Sequence, residues 1–213
     1  MIISPSLRCR PLATLSLAIA MCLVGGVTML PRALAASPEE IPLTSGQAER
    51  IGAPLVDEIM ELLAKRDFAG LARFVGSEGL LLSPYVSIQP DHVRLASAEV
   101  ARCGIDPTPR RWGAWDGSGD PIVMTCKDYV DKLVWVTDFR RVTRTTFNKP
   151  IRRGTEVDNH LVLHPDAIVA WRYRAEHRDR EGTFHPWQSL HLIFARSGGR
   201  WTLRAIARGT WTI

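Results

Sequence analysis

Ala167-Ile168-Val169-Ala170-Trp171-Arg172-Tyr173-Arg174 sorts into two sides. Ala167, Val169, Trp171 and Tyr173 fall on one face of an extended chain, and Ile168, Ala170, Arg172 and Arg174 on the other. Patterning with a period of two and one polar-edged face predicts a strand packed in a sheet. Downstream, the apolar stretches 187–196 and 201–211 flank Ser197-Gly198-Gly199-Arg200, whose glycines suit a tight strand-to-strand turn. The C-terminal third therefore reads as three consecutive antiparallel strands.

Upstream the period changes to that of a helix. From Gln47, the apolar residues Leu55, Val56, Ile59, Met60, Leu62 and Leu63 recur at helical spacing, with Pro54 expected in the first turn. Asp67 is placed to cap a second, shorter helix carrying Phe68, Leu71, Phe74 and Val75. Residues 79–88 hold Leu80, Leu81, Leu82, Tyr85 and Val86, but Pro84 interrupts them and predicts an edge or bulged strand. Ser97 caps a short helix expected over 98–103, and Thr125 with Asp128 forms a capping pattern ahead of Tyr129, Val130, Leu133 and Val134. The fold class that follows is α+β, a curved antiparallel sheet wrapped around N-terminal helices.

The first 35 residues carry Arg8 and Arg10, then an apolar run from Leu12 to Val24 broken by Gly25 and Gly26, then Ala33-Leu34-Ala35. That is the order of a secretory signal peptide with its cleavage site, and the run is shorter than the roughly 20 residues a spanning helix needs. Met21 ahead of Cys22 does not suit a lipobox. Residues 36–46, with Pro38 and Pro42, read as a flexible linker, and 47–213 as a single domain. The expected location is periplasmic or secreted, with no membrane span after cleavage.

Loss of the leader takes away Arg8, Arg10 and Arg32, so the 27 basic residues of the whole chain become 24 against 22 acidic ones, a net charge of +2. The remaining arginines form no basic stripe interleaved with aromatics, which argues against nucleic acid as a partner. Of four cysteines only Cys103 and Cys126 remain. A hairpin formed by 112–116 and 122–125 around Gly117-Ser118-Gly119 would return Cys126 close to Cys103. An even pair in an oxidising compartment predicts a disulfide; two buried free thiols are the alternative.

Several blocks carry a resemblance. Trp112-Gly113 followed by Asp116-Gly117-Ser118-Gly119-Asp120-Pro121-Ile122, His164-Pro165-Asp166-Ala167, Trp187-Gln188-Ser189-Leu190-His191-Leu192-Ile193-Phe194 and Trp211-Thr212-Ile213 resemble a family of bacterial exported proteins and lipoproteins. The family's motifs carry no assigned catalytic meaning, and this chain departs from its lipoprotein members by lacking a lipobox. The element order also resembles the nuclear-transport-factor-like and cystatin-like cone, in which a bent sheet encloses a cavity. That resemblance implies a fold rather than a function, since the cone hosts isomerases, dehydratases, and binding and dimerisation modules.

Chemistry is less legible. Asp116-x-Ser118-x-Asp120 has calcium-loop spacing, but Pro121 and Lys127 occupy positions that a calcium loop gives to Gly and Glu, leaving a hairpin turn. His160 and His164 are four apart, and a metal site could join them to Asp158, or to His185 and His191; the adjacent Glu of His-Glu-x-x-His is missing, His164 precedes Pro165, and surface histidines before a turn are the expectation. No metal and no cofactor are expected. Asp116, Tyr129 and His191 are the candidates for acid-base catalysis in a cone cavity, while Trp115, Trp171 and Tyr173 are the candidates for lining a ligand pocket. The leading expectation is a non-catalytic module binding a small apolar ligand or a cell-envelope protein. An acid-base enzyme of isomerase or dehydratase type and a structural homodimer remain as alternatives.

Overall fold

The computed structural model describes residues 42–151, 157–178 and 181–210. The expected leader, the first part of the expected linker and Trp211-Thr212-Ile213 lie outside them.

Helix α1 (Ser45–Lys65) starts two residues ahead of Gln47 because a reciprocal cap fixes it there. The Thr44 hydroxyl accepts from the Gln47 amide, and the Gln47 side chain accepts from the Thr44 amide. Pro54 lies well inside this helix rather than in its first turn. It is exposed, so the carbonyl one turn back that loses its donor is on the solvent side. Two residues earlier Gly52 is buried, and a Cβ there would lie 2.7 Å from the Ile168 side chain. The missing side chain lets α1 lie directly on the sheet. Asp67 caps α2 (Phe68–Ala72) by accepting from the Gly70 amide at 2.7 Å, as expected.

Strand β1 (Leu80–Ser83) and the two-residue β2 (Arg94–Leu95) precede helix α3 (Ser97–Arg102). Strands β3 (Arg110–Ala114) and β4 (Pro121–Met124) form a separate hairpin around an exposed turn. Thr125 then caps α4 (Cys126–Tyr129), which continues as a π-helical turn over Val130–Val134. After β5 (Arg144–Phe147) and the single-turn α5 (His160–Leu163) come the three long strands β6 (Ile168–Arg178), β7 (Phe184–Ser197) and β8 (Arg200–Thr210). The expected Cys103–Cys126 disulfide is present and ties α3 to α4, with Cα atoms 5.1 Å apart. No described helix is long and apolar enough to cross a membrane.

The sheet corrects the expectation of a purely antiparallel arrangement. Its order is β2-β1-β8-β7-β6-β5, and β1 runs parallel to β8, with Leu81 opposite Ala205. Nor is β1 the edge that Pro84 suggested. It ends at Ser83, before the proline, and β2 covers its outer side. All four of its residues are buried, Leu80 and Leu82 in the helix-side core and Leu81 in the core of the opposite face. A run of apolar residues without alternation is what burial on both faces requires.

The two faces follow from the register. Ile168, Ala170, Leu190, Leu192 and Phe194 meet Val56, Ile59, Met60 and Leu63 of α1. On the other side Val169, Trp171, Ile193, Ala205 and Ala207 pack with Leu81 and Ile88, and Leu161 of α5 closes over them. The helices therefore cover only one face. The opposite one is buried under loops and a single helical turn.

Candidate functional site

The opposite face gathers most of the unusual polar chemistry. Its cover is fastened by Asn159, whose side chain accepts from the Ile88 amide and donates to the Ile88 carbonyl, both at 2.9 Å. This copies one rung of a strand ladder with a side chain. Pro165 disfavours helical geometry at His164, so α5 stops after one turn and His164 turns out of it.

At the start of α5, buried His160, His191 and Ser189 gather beside the half-buried Asp158 and the Trp171 indole. His160 is fully buried, His191 is 3 % exposed and Ser189 is 5 % exposed, which corrects the expectation of surface histidines. His160 Nε2 lies 2.8 Å from His191 Nδ1, and His191 Nε2 lies 2.8 Å from Ser189 Oγ. The Trp171 indole donates to Asp158 at 3.1 Å. Burial holds the proton affinity of both imidazoles below the ordinary value; for His191 the neighbouring His160 adds to this, and for His160 Asp158 partly opposes it.

Neutral rings restrict the protons. His160 Nδ1 has no partner among the described residues. A proton on that atom would be a buried, unmet donor, so the cheaper tautomer carries it on Nε2 and donates to His191 Nδ1. His191 then donates from Nε2 to Ser189. Ser189 is thus an acceptor from the ring, the reverse of an activated serine, although the spacing resembles that of a nucleophilic triad. Its oxygen is also enclosed, since a Cβ on Gly209 would collide with it.

Beside the cluster is a pocket of about 410 Å3. Leu81, Ile88, Leu163 and Ala205 give it apolar walls, and Arg94, Arg204 and His164 stand around it. Arg94 Nη1 donates to the Glu78 carbonyl at 3.2 Å, and Arg204 Nη2 pairs with the Glu78 carboxylate at 3.1 Å. Arg204 Nη1 is buried without a hydrogen-bond partner among the described residues. Burial first, then the charges of Arg204 and Arg94, push the His164 pKa down. Burial and Arg204 act the same way on Arg94, against the opposing pull of Glu78. One carboxylate thus serves two guanidiniums, and the net positive charge favours an anion.

The residues singled out in the sequence are dispersed. Asp116 is in the exposed β3–β4 turn, where its amide donates to the Tyr85 hydroxyl at 2.6 Å. Tyr129 is fully buried on the helix side, stacked on Trp112, with burial driving its hydroxyl pKa up. His191 is on the other side of the sheet, so the three do not converge. Trp115 is 41 % exposed, whereas Trp171 is fully buried and Tyr173 stacks near Trp187 with ring centroids 6.4 Å apart. None of these three lines the pocket. Its charged residues were missed, although Arg204 had a signal: it interrupts the apolar Leu203, Ala205 and Ile206 within one strand.

No family model matches the chain, and no curated protein matches it. Among solved structures it is similar to a Xanthomonas campestris protein assigned as a calcium/calmodulin dependent protein kinase II association domain, at 14% identity and a TM-score of 0.35. The match covers 75% of this chain and 84% of that one, and at that TM-score it carries no argument about fold family or function.

Proposed function

We propose that this chain is an exported, non-catalytic binding module, and that its pocket takes a small ligand with an apolar body and an anionic end. The observation that carries this is the pocket of about 410 Å3, whose lining combines apolar walls with Arg94, Arg204 and His164. The volume lies in the range of small-molecule sites, and such sites combine apolar lining with a few placed polar groups. The buried Nη1 of Arg204, without a partner among the described residues, offers a donor whose satisfaction by a carboxylate, sulfonate or phosphate would favour binding. The Cys103–Cys126 disulfide and the leader-like N-terminal sequence support export. In this proposal the cone resemblance describes the sheet and α1, while the ligand sits on the sheet's other side.

Decanoate and 8-anilinonaphthalene-1-sulfonate are suitable probes, with decanol as the uncharged comparison. Arg204→Ala is expected to weaken decanoate binding about 10-fold or more, the effect of losing one charge-assisted contact, and to leave decanol binding unchanged. A bound anion offsets the arginine charges felt by His164 and raises its pKa, so decanoate affinity should increase as pH falls through the imidazole range. Equal binding of decanoate and decanol, or an Arg204→Ala variant with unchanged affinity, would overturn the anionic assignment. Export is checked separately by the mass of the protein recovered from the periplasm, which should correspond to cleavage near Ala35.

A further inference from the structure

We propose that Asp158, His160 and His191 form a binding site for a divalent transition metal, zinc in the first instance. This site is separate from the pocket and does not depend on its ligand. The three side chains come from two distant parts of the chain, the segment leading into α5 and the middle of β7. One ligand atom from each lies within 4.8 Å of the other two. Two neutral imidazoles and one carboxylate match the donor set of zinc centres that keep a fourth position for water or substrate.

Two of the three proposed ligands have partners that orient them. Ligating histidines are normally oriented through their second ring nitrogen, and His191 has that bond, from Nε2 to Ser189 at 2.8 Å. The carboxylate is oriented as well, by the Trp171 indole at 3.1 Å. Ser189 and Trp171 are therefore positioning residues for the proposed ligands. A cavity of about 150 Å3 has Asp158 in its lining, together with Pro150, Val157, Leu161 and Val162. The sequence suggested His160 with His164, but α5 ends before His164, and that side chain lines the neighbouring pocket instead.

Metal entry asks for little movement. His160 Nε2 and His191 Nδ1 are 2.8 Å apart, and tetrahedral zinc needs its nitrogen ligands roughly 3.3 Å apart. Zinc would replace the hydrogen bond between the rings with two metal bonds. The proton on His160 Nε2 would move to Nδ1 of the same ring, so both imidazoles stay neutral. Nδ1 has no partner among the described residues, so the proton there becomes a buried, unmet donor, a cost that the two metal bonds must exceed.

The test is calorimetric titration of zinc into the purified protein after treatment with a chelator, with cobalt as the spectroscopic substitute. The expected result is one ion per chain bound tighter than about 1 µM, with visible cobalt absorption of low-symmetry, four-coordinate type. Asp158→Asn should weaken zinc at least about 10-fold, and Ser189→Ala by about 10-fold through its effect on His191. The asparagine oxygen can still accept from Trp171, so Asp158→Asn should keep the near-ultraviolet circular dichroism of the parent. Absence of saturable zinc binding by the unsubstituted protein overturns the proposal, whatever the variants do. Stoichiometric binding that Asp158→Asn leaves unchanged overturns it too, by placing the ion elsewhere.

Discussion

Replacing Trp112 by alanine should lower the unfolding free energy by about 4 kcal/mol, the loss typical of deleting a fully buried large aromatic side chain. Three contributions act together at this position. The ring has no solvent exposure and stacks on Tyr129 with centroids 4.2 Å apart. Its indole donates to the Met124 carbonyl at 2.9 Å, across the β3–β4 pair. Removal leaves a cavity, loses the hydrogen bond to the Met124 carbonyl and leaves the Tyr129 ring without its stacking partner. Trp112→Phe should cost less, because it restores most of the volume and loses the hydrogen bond. Urea unfolding at constant slope measures both. A loss under about 1 kcal/mol for the alanine variant would show that the hairpin contributes little to the cooperative fold.

Removing the disulfide should cost about 3 kcal/mol, the chain-entropy value for a bond of sequence separation 23. Its mechanical role adds to the expectation. Strands β3 and β4 form a two-stranded sheet outside the main one, and a hairpin of that size is marginal by itself. It is held at its base by the Cys103–Cys126 bond, along its length by Trp112, and near its tip by the Tyr85 hydroxyl donating to the Ala114 carbonyl at 2.8 Å. The Cys103→Ala, Cys126→Ala double variant should therefore unfold at lower urea, and the β3–β4 amides should exchange faster than those of β6–β8. Both cysteines are nearly inaccessible, at 2 % and 4 % exposure, so native-state reduction should require opening of this region. Equal stability of oxidised protein and double variant would contradict the entropic argument.

Most of the local architecture is legible in the sequence. Alternation over 167–174 gave the strand and its two faces, Ser197-Gly198-Gly199-Arg200 gave the β7–β8 turn with both glycines at positive φ, and Asp67 and Thr125 cap the helices expected of them. The cysteine pairing was legible because a hairpin sits between the two residues. Each of these depends on neighbours a few residues apart, where backbone preference and side-chain period act directly.

Other features needed the fold. Strand β5 is Arg-Thr-Thr-Phe, a polar edge with no alternation to detect, and it is defined only by its pairing with β6. The direction of β1 depends on β8, more than 100 residues away, with no connecting turn to reveal it. The sites are of the same kind. His160 reads as a surface residue until β7 brings His191 to within a hydrogen bond across 31 positions, and the partner of Arg204 is Glu78, 126 positions earlier. Composition, period and turn chemistry thus determined the α+β class, the long strands and the disulfide. The parallel pairing, the buried histidine cluster and the charged pocket were decided by tertiary structure, because the partner that gives each residue its burial and its charge environment is remote along the chain.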